Sequence, residues 1–303
     1  MSVLDEAVNV RAIYEAYQAR SFERSAEWFA EDAEIVNMAT GDTFRGREGY
    51  LQFARGWASA FPDLRVEVLR YQATESWASV EFALRGTHTG AFLSSGGFVP
   101  PTWSQVDLRL CDSVQMRDGK ISALHTYFDT ATMLRQMGLF PNSPLHTADR
   151  RAPLELYATE VDAAAQQRNK AIVNRFLEEV LNQRNPAAAS SFCSPELVWH
   201  GGAMGDATDL AAFQATLQSI FRSFPDLSVE VHDVIAEQDR VAVRLTMRGT
   251  QLGVFHGIAP TGRQITSSAM NTYRIHDNLI VEEWWQHDLL GVMEQLNAAP
   301  ASP

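Results

Sequence analysis

The spacing of hydrophobic residues changes along the chain from a helical period to a two-residue alternation. A first helix is predicted where apolar residues recur every three or four positions, at Val10, Ile13, Tyr14 and Tyr17. A short helix, a brief strand over 33–37 and a third helix over 48–60 follow, and the third helix ends at Phe-Pro-Asp because proline disfavours helical geometry in the residue before it. Alternating residues then predict strands over 66–71, 77–87, 106–116 and 121–128, and a last short helix is predicted over 130–137.

This whole pattern occurs twice. Segment 60–68 (AFPDLRVEV) recurs 163 residues later as segment 223–231 (SFPDLSVEV), and segment 85–92 recurs at the same offset. Four residues near 94–97 are extra in the first copy, after which the offset is 159 and the register holds to the end of the repeat. A single register held over this length indicates an internal duplication.

Helices followed by a long antiparallel sheet predict the α+β class for each copy. We expect two tandem cone-shaped α+β barrel domains, with helices packed on a curled sheet. The copies occupy residues 1–140 and 168–300, and residues 141–167 form a linker and the start of the second-copy helix; its stretch 141–153 is polar and proline-rich. The strands carry polar residues on both faces, which favours an open pocket inside the cone over a filled core.

Composition and charge exclude several partners. The net charge is −12 and no Lys/Arg cluster interrupts it, so the chain lacks the basic surface that nucleic-acid binding needs. The chain has no apolar run of membrane-spanning length and no signal-peptide pattern at the N-terminus. Cys111 and Cys193 have neither metal-ligand nor redox spacing, which favours a reduced, cytoplasmic setting.

No cofactor site is predicted. The eight histidines do not group in sequence, and there is no paired carboxylate cluster with metal-ligand spacing. The Gly96-Gly97 pair lacks the strand–loop–helix setting and the lysine of a phosphate-binding loop. We therefore expect activity without a metal, nicotinamide or flavin.

Two aspartates at the ends of the last strands are candidate acid/base residues. In the first copy, counting back by twos from Asp129 gives Tyr127 and His125, which combines a base, a phenol and an imidazole in one row. In the second copy, the same count from Asp288 gives Gln286 and Trp284, a flatter surface for a planar ring. Each aspartate also precedes a predicted helix, so a capping role is the structural alternative.

Other polar residues are candidates for binding the substrate. Asn37 and His200 occupy equivalent positions on the first strand, and either side chain can donate a hydrogen bond to an enolate. Asp112 and Asn271 are equivalent on a later strand, where they share a face with apolar residues and either line a cavity or are satisfied locally. Two further histidines, His88 near a strand end and His256 in the loop that differs between the copies, are candidates for the rim.

Four motifs of the chain resemble the SnoaL-like polyketide cyclases, which belong to the nuclear-transport-factor-like superfamily that also includes ketosteroid isomerase. The motifs are Phe-Pro-Asp-Leu-x-Val-Glu-Val, Arg-Gly-Thr-x-x-Gly-x-Phe, Pro-Thr-Gly-Arg at 260–263, and 280–291 (IVEEWWQHDLLG). The resemblance covers nearly all of both copies and is closer in the second. The first copy departs from the pattern at 100–103 and at 123–129.

The resemblance implies a function for the two aspartates. In the cyclases, the aspartate that closes the last strand removes an acidic C–H proton, and the carbanion closes a ring by intramolecular aldol attack; no cofactor takes part. That role falls on Asp288 and Asp129, and the closer likeness of the second copy favours Asp288. The leading hypothesis is a cyclase or isomerase acting on an apolar, polyketide-like carbonyl compound. A hydrolase or hydratase using the same aspartate, and a non-catalytic small-molecule binder, are the alternatives.

The resemblance also implies an arrangement of the two copies. Related single domains pair through their sheets into dimers. We therefore expect the two copies to form an intramolecular pseudo-two-fold pair, which can assemble further into homo-oligomers.

Overall fold

The computed structural model describes residues 12–73, 76–94, 97–139 and 162–297. These residues form two compact units, which we call unit 1 (up to residue 139) and unit 2 (from residue 162). The predicted linker at 141–153 lies outside the described residues. None of the helices within the described ranges combines the length and the apolar character needed to cross a membrane.

Unit 1 contains four helices and eight strands among its described residues. In chain order they are α1 (12–18), α2 (Phe22–Ala26), β1 (Phe29–Asn37), β2 (Thr43–Arg45), α3 (Gly46–Ala60), β3 (Arg65–Ala73), β4 (Trp77–Thr87), β5 (Phe92–Ser94), β6 (Gly97–Val99), β7 (Gln105–Arg117), β8 (Lys120–Phe128) and α4 (Thr130–Gln136). The predicted helices and strands are present. The paired strands β5 and β6, which were not predicted, lie at the place in the sequence where the first copy has four extra residues.

Unit 2 repeats this order. Its elements are α5 (Ala163–Phe176), a π-helical turn (Leu177–Asn182), 3-10 helices (Pro186–Ser191 and Gly202–Met204), β9 (Cys193–His200), β10 (Asp206–Ala207), α6 (Leu210–Ser223), β11 (Ser228–Glu237), β12 (Arg240–Thr250), β13 (Gln264–His276), β14 (Leu279–His287) and α7 (Leu289–Asn297). The 3-10 helix at Pro186–Ser191 takes the place of α2. In unit 1, β1 begins four residues earlier than the strand expected at 33–37.

Each unit has one six-stranded sheet that is mixed and open. The strand orders are β2-β1-β8-β7-β4-β3 and β10-β9-β14-β13-β12-β11, so each sheet has two edges and does not close into a barrel. β1 runs parallel to β8, and β9 runs parallel to β14. The expected α+β class, with helices packed on a sheet in each of two domains, is confirmed; the expected barrel of antiparallel strands is corrected to an open, mixed sheet. The chain between β1 and β8, and between β9 and β14, contains helix α3 or α6 and the other strands of the sheet, so it is long enough for the crossover that parallel pairing requires.

The turns of two corresponding hairpins have the same backbone geometry in the two units. Asp118 and Gly119, between β7 and β8, have φ angles of 53° and 72°. Asp277 and Asn278, between β13 and β14, have φ angles of 51° and 62°. Positive φ at both central residues is the geometry that matches the twist of antiparallel strands, and Asp, Asn and Gly tolerate it best.

Helices cover one face of each sheet, which we call the helix-covered face. In unit 1, Tyr50 of α3 stacks on Phe29 of β1 with ring centroids 4.1 Å apart, and Trp57 meets the edge of Phe128 of β8 at 5.4 Å. In unit 2, Phe213 of α6 contacts Trp199 of β9 at 5.9 Å. These contacts identify the face of each sheet on which a pocket inside the cone would lie.

A close approach between two backbone segments holds the loop after β4 against the end of α3. Gly90 donates its N–H to the carbonyl of Ala60 at 3.0 Å, and a Cβ at Gly90 would lie 1.9 Å from the Ser59 carbonyl oxygen. Gly90→Ala is therefore expected to lower the free energy of unfolding by ~1–3 kcal/mol in urea titrations. Gly56→Ala is the control, because nothing lies within 4 Å of a Cβ at that helical glycine; it is expected to be neutral or stabilising. Equal effects of the two substitutions would contradict this account.

Candidate functional site

Unit 1 encloses an apolar cavity of about 50 Å³, between helices α1 and α3 and the helix-covered face of its sheet. This is room for a few water molecules, so a larger ligand has to displace side chains of the cavity walls as it binds. Its walls are Ile13, Tyr14, Tyr17, Phe29, Tyr50, Phe53, Trp57, Val66, Phe82, Leu84, Leu110, Asp112, Val114, Ile121, Leu124 and Thr126. The pocket predicted from the sequence is therefore present in unit 1, and Asp112 is the one carboxyl among these lining residues.

The alternation of β7 brings Asp112 into the cavity. Asp112 lies between Leu110 and Val114, every second residue of the strand, and all three line the cavity. It pairs with Val80 of β4 and with Thr126 of β8. Its residue surface is only 5% exposed. The sheet register therefore places a carboxyl in an otherwise apolar row.

A tyrosine from the first helix holds the carboxyl. The Tyr14 hydroxyl donates to Asp112 Oδ2 over 2.5 Å, the short distance typical of a bond to a charged acceptor. The Thr126 hydroxyl is close enough to lower the Asp112 pKa, although it is not aligned for a geometrically good hydrogen bond. Asp112 Oδ1 is buried and has no hydrogen-bond partner among the described residues.

Burial sets the proton affinity of this carboxyl. Loss of hydration raises the pKa of Asp112 to about 7, and the hydroxyl groups of Tyr14 and Thr126 oppose this rise only in part. Near neutral pH the residue can therefore both accept and return a proton. Burial also raises the pKa of Tyr14, Tyr17 and Tyr50, so these phenols stay protonated and remain hydrogen-bond donors.

Unit 2 has larger rings at several of the corresponding positions. Phe176, Tyr273 and Trp285 stand where unit 1 has Ile13, Val114 and Thr126. Phe176 contacts Tyr273 at 5.9 Å and Phe213 at 6.3 Å, while Trp285 contacts Trp199 at 5.5 Å. Asn271 stands at the position of Asp112. The helix-covered face of unit 2 is thus more aromatic and lacks the acid on this strand.

A different buried acid lies on the neighbouring strand of unit 2. Glu283 of β14 pairs with Tyr273 of β13. Asn271 Nδ2 donates to the Tyr273 hydroxyl at 3.1 Å and to Glu283 Oε1 at 3.3 Å. Burial raises the pKa of Glu283 to about 8, although a hydrogen bond with Tyr273 lowers it somewhat. Glu283 is therefore mostly a neutral acid at pH 7.

The raised pKa of Glu283 predicts how stability depends on pH. The folded state binds this proton more tightly than the unfolded chain, so its contribution to stability falls as pH rises from about 4.5 to about 8. Glu283→Gln removes the ionisation. In urea titrations, its free energy of unfolding relative to the parent protein is expected to increase by ~2 kcal/mol or more between pH 5 and pH 9.

The adjacent residue is the matched control for this prediction. Burial favours the neutral form of Glu282, but hydrogen bonds from His200 and Arg274 outweigh it and keep the pKa of Glu282 below its usual value. Glu282→Gln is therefore expected to destabilise the protein at both pH 5 and pH 9. A Glu283→Gln variant that behaves like Glu282→Gln would contradict a buried neutral Glu283.

A match to a family model identifies the family of the chain. The family model for SnoaL-like polyketide cyclases matches residues 7–137 and again residues 171–296. The chain belongs to the SnoaL-like polyketide cyclase family. Both copies of this tandem SnoaL-like chain are covered. No curated protein matches the chain.

Solved structures similar to this SnoaL-like chain each span about half of it. A candidate SnoaL-like polyketide cyclase from Jannaschia sp. CCS1 is 23% identical, with a TM-score of 0.44, covering 47% of this chain and 100% of its own. IdmH, a candidate polyketide cyclase from Streptomyces antibioticus, is 28% identical (TM-score 0.39; 43% and 99% covered). AclR, a candidate hydroxylase from Streptomyces galilaeus, is 26% identical (TM-score 0.41; 46% and 86% covered).

The two aspartates that the family resemblance singled out cap helices. Asp129 Oδ1 accepts from the Thr132 N–H at 3.2 Å, and its Oδ2 accepts from the Thr132 hydroxyl at 2.7 Å. Asp288 Oδ1 accepts from the Gly291 N–H at 3.0 Å. Asp129 does not line the cavity of unit 1. The capping role is therefore present in both copies, and an acid/base role for Asp129 and Asp288 stays a prediction.

The side chains predicted beside these aspartates do not share the face of Asp112 or of Asn271. His125 and Tyr127 pair with Ser113 and Cys111, so they lie on the opposite face of the sheet from Asp112 and Thr126. Trp284 and Gln286 lie on the face opposite Asn271, which pairs with Trp285. A row that joins these side chains to Asp129 or Asp288 stays a prediction.

Asn37 and His200 are not equivalent in the sheets. Asn37 pairs with Thr126 and shares the helix-covered face, where its Oδ1 accepts from the Ala39 N–H at 3.2 Å. His200 pairs with Trp284, one residue out of step, and therefore lies on the other face. There its Nε2 is 2.9 Å from Glu282 Oε1, and its ring stacks on Trp284 at 5.3 Å.

The two remaining histidines are not brought to the cavity. His88 is fully buried, with Nδ1 3.0 Å from the Thr102 hydroxyl and 3.2 Å from the Thr102 N–H, so it organises the loop before β7. Gln251 occupies the corresponding position in unit 2. Its side-chain amide donates to the Gly253 carbonyl and accepts from the Thr261 N–H. His256 is exposed and its ring meets the edge of Phe255 at 4.7 Å.

Sequence reasoning missed the tyrosines of the site. The sequence pattern identifies Tyr14 and Tyr17 only as apolar positions at helical spacing, and it does not single out Tyr50. The available signal was chemical: a buried phenol requires a hydrogen-bond partner, and Asp112 was the polar residue on the facing strand. Glu283 was also missed, although it alternates with Trp285 towards the same face as Asn271. In the described residues, no group of three or more His, Cys, Asp or Glu side chains could hold a metal ion.

Proposed function

We propose that this chain is a cyclase or isomerase for an apolar, polyketide-like carbonyl compound, and that Asp112 in unit 1 is its acid/base residue. One observation carries the proposal: an unpartnered carboxylate oxygen, Asp112 Oδ1, is buried in an apolar cavity and belongs to a group with a pKa of about 7. A base with this proton affinity suits removal of a C–H proton beside a carbonyl at neutral pH.

The reaction needs one group that moves a proton and one that stabilises negative charge. Ionised Asp112 takes the proton from the carbon next to a carbonyl, and the C–H electron pair becomes the enolate. The phenols of Tyr17 and Tyr50, which line the same cavity, are available to donate a hydrogen bond to the enolate oxygen. In a cyclisation the enolate carbon attacks a second carbonyl carbon of the same molecule, and the new alkoxide takes the proton from Asp112. In an isomerisation Asp112 returns the proton to a different carbon.

Tyr14 is the positioning residue of this arrangement. Its hydrogen bond to Oδ2 directs the other oxygen, Oδ1, to the bound molecule and limits the rise of the Asp112 pKa. Asp112 and the phenols together supply both proton transfer and charge stabilisation. We therefore propose that turnover needs no metal, nicotinamide or flavin.

Hydrogen–deuterium exchange tests the proposed chemistry without knowledge of the natural substrate. Apolar cyclic ketones such as 1-tetralone are incubated with the protein in D₂O, and the loss of the α-hydrogen signal is followed by NMR. The protein is expected to accelerate exchange of the ketones that bind, and a shift of the Trp57 indole signal reports binding in unit 1 because Trp57 lines the cavity. A ketone that binds there without accelerated exchange would support a binding protein and contradict the proposal.

Three expectations from the sequence remain predictions. They are the cytoplasmic location, the pseudo-two-fold pairing of the two copies with possible further oligomers, and the acid/base role of Asp288 or Asp129 that the family resemblance implies. The third matters most for the mechanism, because it decides whether Asp112 or one of these two aspartates is the acid/base residue.

A further inference from the structure

Several polar atoms on the helix-covered face of unit 2 are buried without a hydrogen bond. Within the described part of the chain, Asn271 Oδ1, Ser267 Oγ and Trp285 Nε1 have no partner. Asn271 and Ser267 are 2% and 5% exposed, so bulk water does not reach their side chains freely. Each unsatisfied buried group costs about 1–3 kcal/mol, and three on one face indicate that another molecule completes them.

The register places two of these atoms where one hydroxyl group can satisfy both. Asn271 of β13 and Trp285 of β14 are directly paired, and paired residues of antiparallel strands have Cβ atoms about 5 Å apart. Asn271 Nδ2 donates to Tyr273 and Glu283, and Oδ1 is the atom of the amide that has no partner among the described residues. A bound hydroxyl can accept from Trp285 Nε1 and donate to Asn271 Oδ1.

The surroundings favour an aromatic ring as the carrier of that hydroxyl. Trp285 packs against Trp199 at 5.5 Å, and the His287 ring stacks on Trp285 at 4.8 Å with an interplanar angle of 30°. Trp285 as a whole is half-buried, so the ring itself keeps some surface open. The nearest acid, Glu283, is held mostly neutral by burial, which also favours an uncharged ligand.

We propose that unit 2 contains a second binding site, which uses Asn271 and Trp285 to hold the hydroxyl of a neutral phenolic ring. It differs in chemistry from the acid-containing cavity of unit 1. A hydroxylated aromatic ring would meet stacking surface from the indole and imidazole rings and would satisfy the donor and the acceptor together. The site stands apart from the acid/base function proposed for Asp112.

Indole NMR signals test this site directly. The protein has seven tryptophans, and Trp285→Phe assigns the Trp285 indole signal of the ¹⁵N-labelled chain. 2-Naphthol is titrated as the probe, and naphthalene, which lacks the hydroxyl, is the matched control. We expect 2-naphthol to shift the Trp285 signal saturably, with an affinity at least ~10-fold higher than that of naphthalene, the scale of one good hydrogen bond. Asn271→Leu is expected to remove that preference, and Asp112→Asn to leave it unchanged.

Two results would overturn the proposal. One is a Trp285 signal that 2-naphthol leaves in place, which would mean that the unpartnered atoms are satisfied by water. The other is equal binding of 2-naphthol and naphthalene. If Asn271→Leu does not fold, Trp285→Phe serves instead, because it keeps a ring but loses the N–H donor; 2-naphthol fluorescence should then report an affinity ~10-fold weaker than for the parent protein. Ketone exchange in unit 1 is scored separately, so failure of one proposal leaves the other intact.

Discussion

Asp112→Asn is expected to lower the rate of protein-dependent ketone exchange by ~10²-fold or more, the usual scale for loss of a positioned acid/base. The substitution keeps the size and the acceptor oxygen of the side chain but removes its ability to take a proton. The fold accommodates asparagine at this position, since unit 2 has Asn271 there, buried in the corresponding strand. The measurement is the initial exchange rate of a bound ketone, with the Trp57 signal showing that binding is retained.

Asp129→Asn and Asp288→Asn are the matched controls for that experiment. Both side chains accept a backbone N–H at the start of a helix, so each substitution is expected to reduce stability modestly and to change the exchange rate less than about threefold. The family resemblance predicts the opposite, with the large loss at Asp288. A loss of ~10²-fold confined to Asp288→Asn or Asp129→Asn would refute the role given to Asp112.

Tyr14→Phe is expected to move the pH dependence of exchange to higher pH by about one to two units. The reacting form of Asp112 is the carboxylate, so the rate rises with pH and levels off above the pKa, near 7 in the parent protein. Tyr14 stabilises that carboxylate through its hydrogen bond, and a bond to a charged group contributes about 1.5–3 kcal/mol. Removing it raises the Asp112 pKa by the corresponding amount. The rate should therefore fall most at pH 7 and recover towards pH 9.

Two further variants separate this positioning role from a general loss of packing. Thr126→Val should shift the profile in the same direction but less, because Thr126 has the smaller lowering effect on the Asp112 pKa. Tyr17→Phe should lower the plateau without moving the midpoint, since Tyr17 makes no hydrogen bond to Asp112 that lowers its pKa. A Tyr14→Phe profile with an unchanged midpoint would contradict the hydrogen bond as the control of proton affinity.

Most of the fold could be predicted from the sequence, because the patterns that specify its helices, strands and turns are local and occur twice. Helical spacing, alternation and the Asp118-Gly119 turn each specify a conformation over a few residues, and the duplication allowed each element to be checked against its copy. The parallel pairing of β1 with β8 was not accessible. It joins segments almost a full domain apart, and the alternation of a strand does not show which neighbour it will have.

The site was harder to predict from the sequence, because it depends on which face of the sheet each side chain occupies and on how deeply it is buried. Alternation shows that His125 and Tyr127 share one face and Asp112 and Thr126 the other, but it does not show which of the two faces the helices cover. Asp112 was recognised as a polar residue on an apolar face, but its partner Tyr14 is 98 residues away. The pKa of Asp112 depends on the complete loss of hydration around it, which only the assembled packing shows.

Direct titration of the Asp112 carboxyl tests the central claim. The side-chain ¹³C signal of Asp112, assigned with Asp112→Asn in protein labelled at aspartate, is followed by NMR from pH 4 to pH 9. Our account predicts a midpoint near pH 7 that coincides with the midpoint of the exchange rate. A midpoint near 4, the ordinary value for an exposed aspartate, with a rate profile that follows another group, would contradict it.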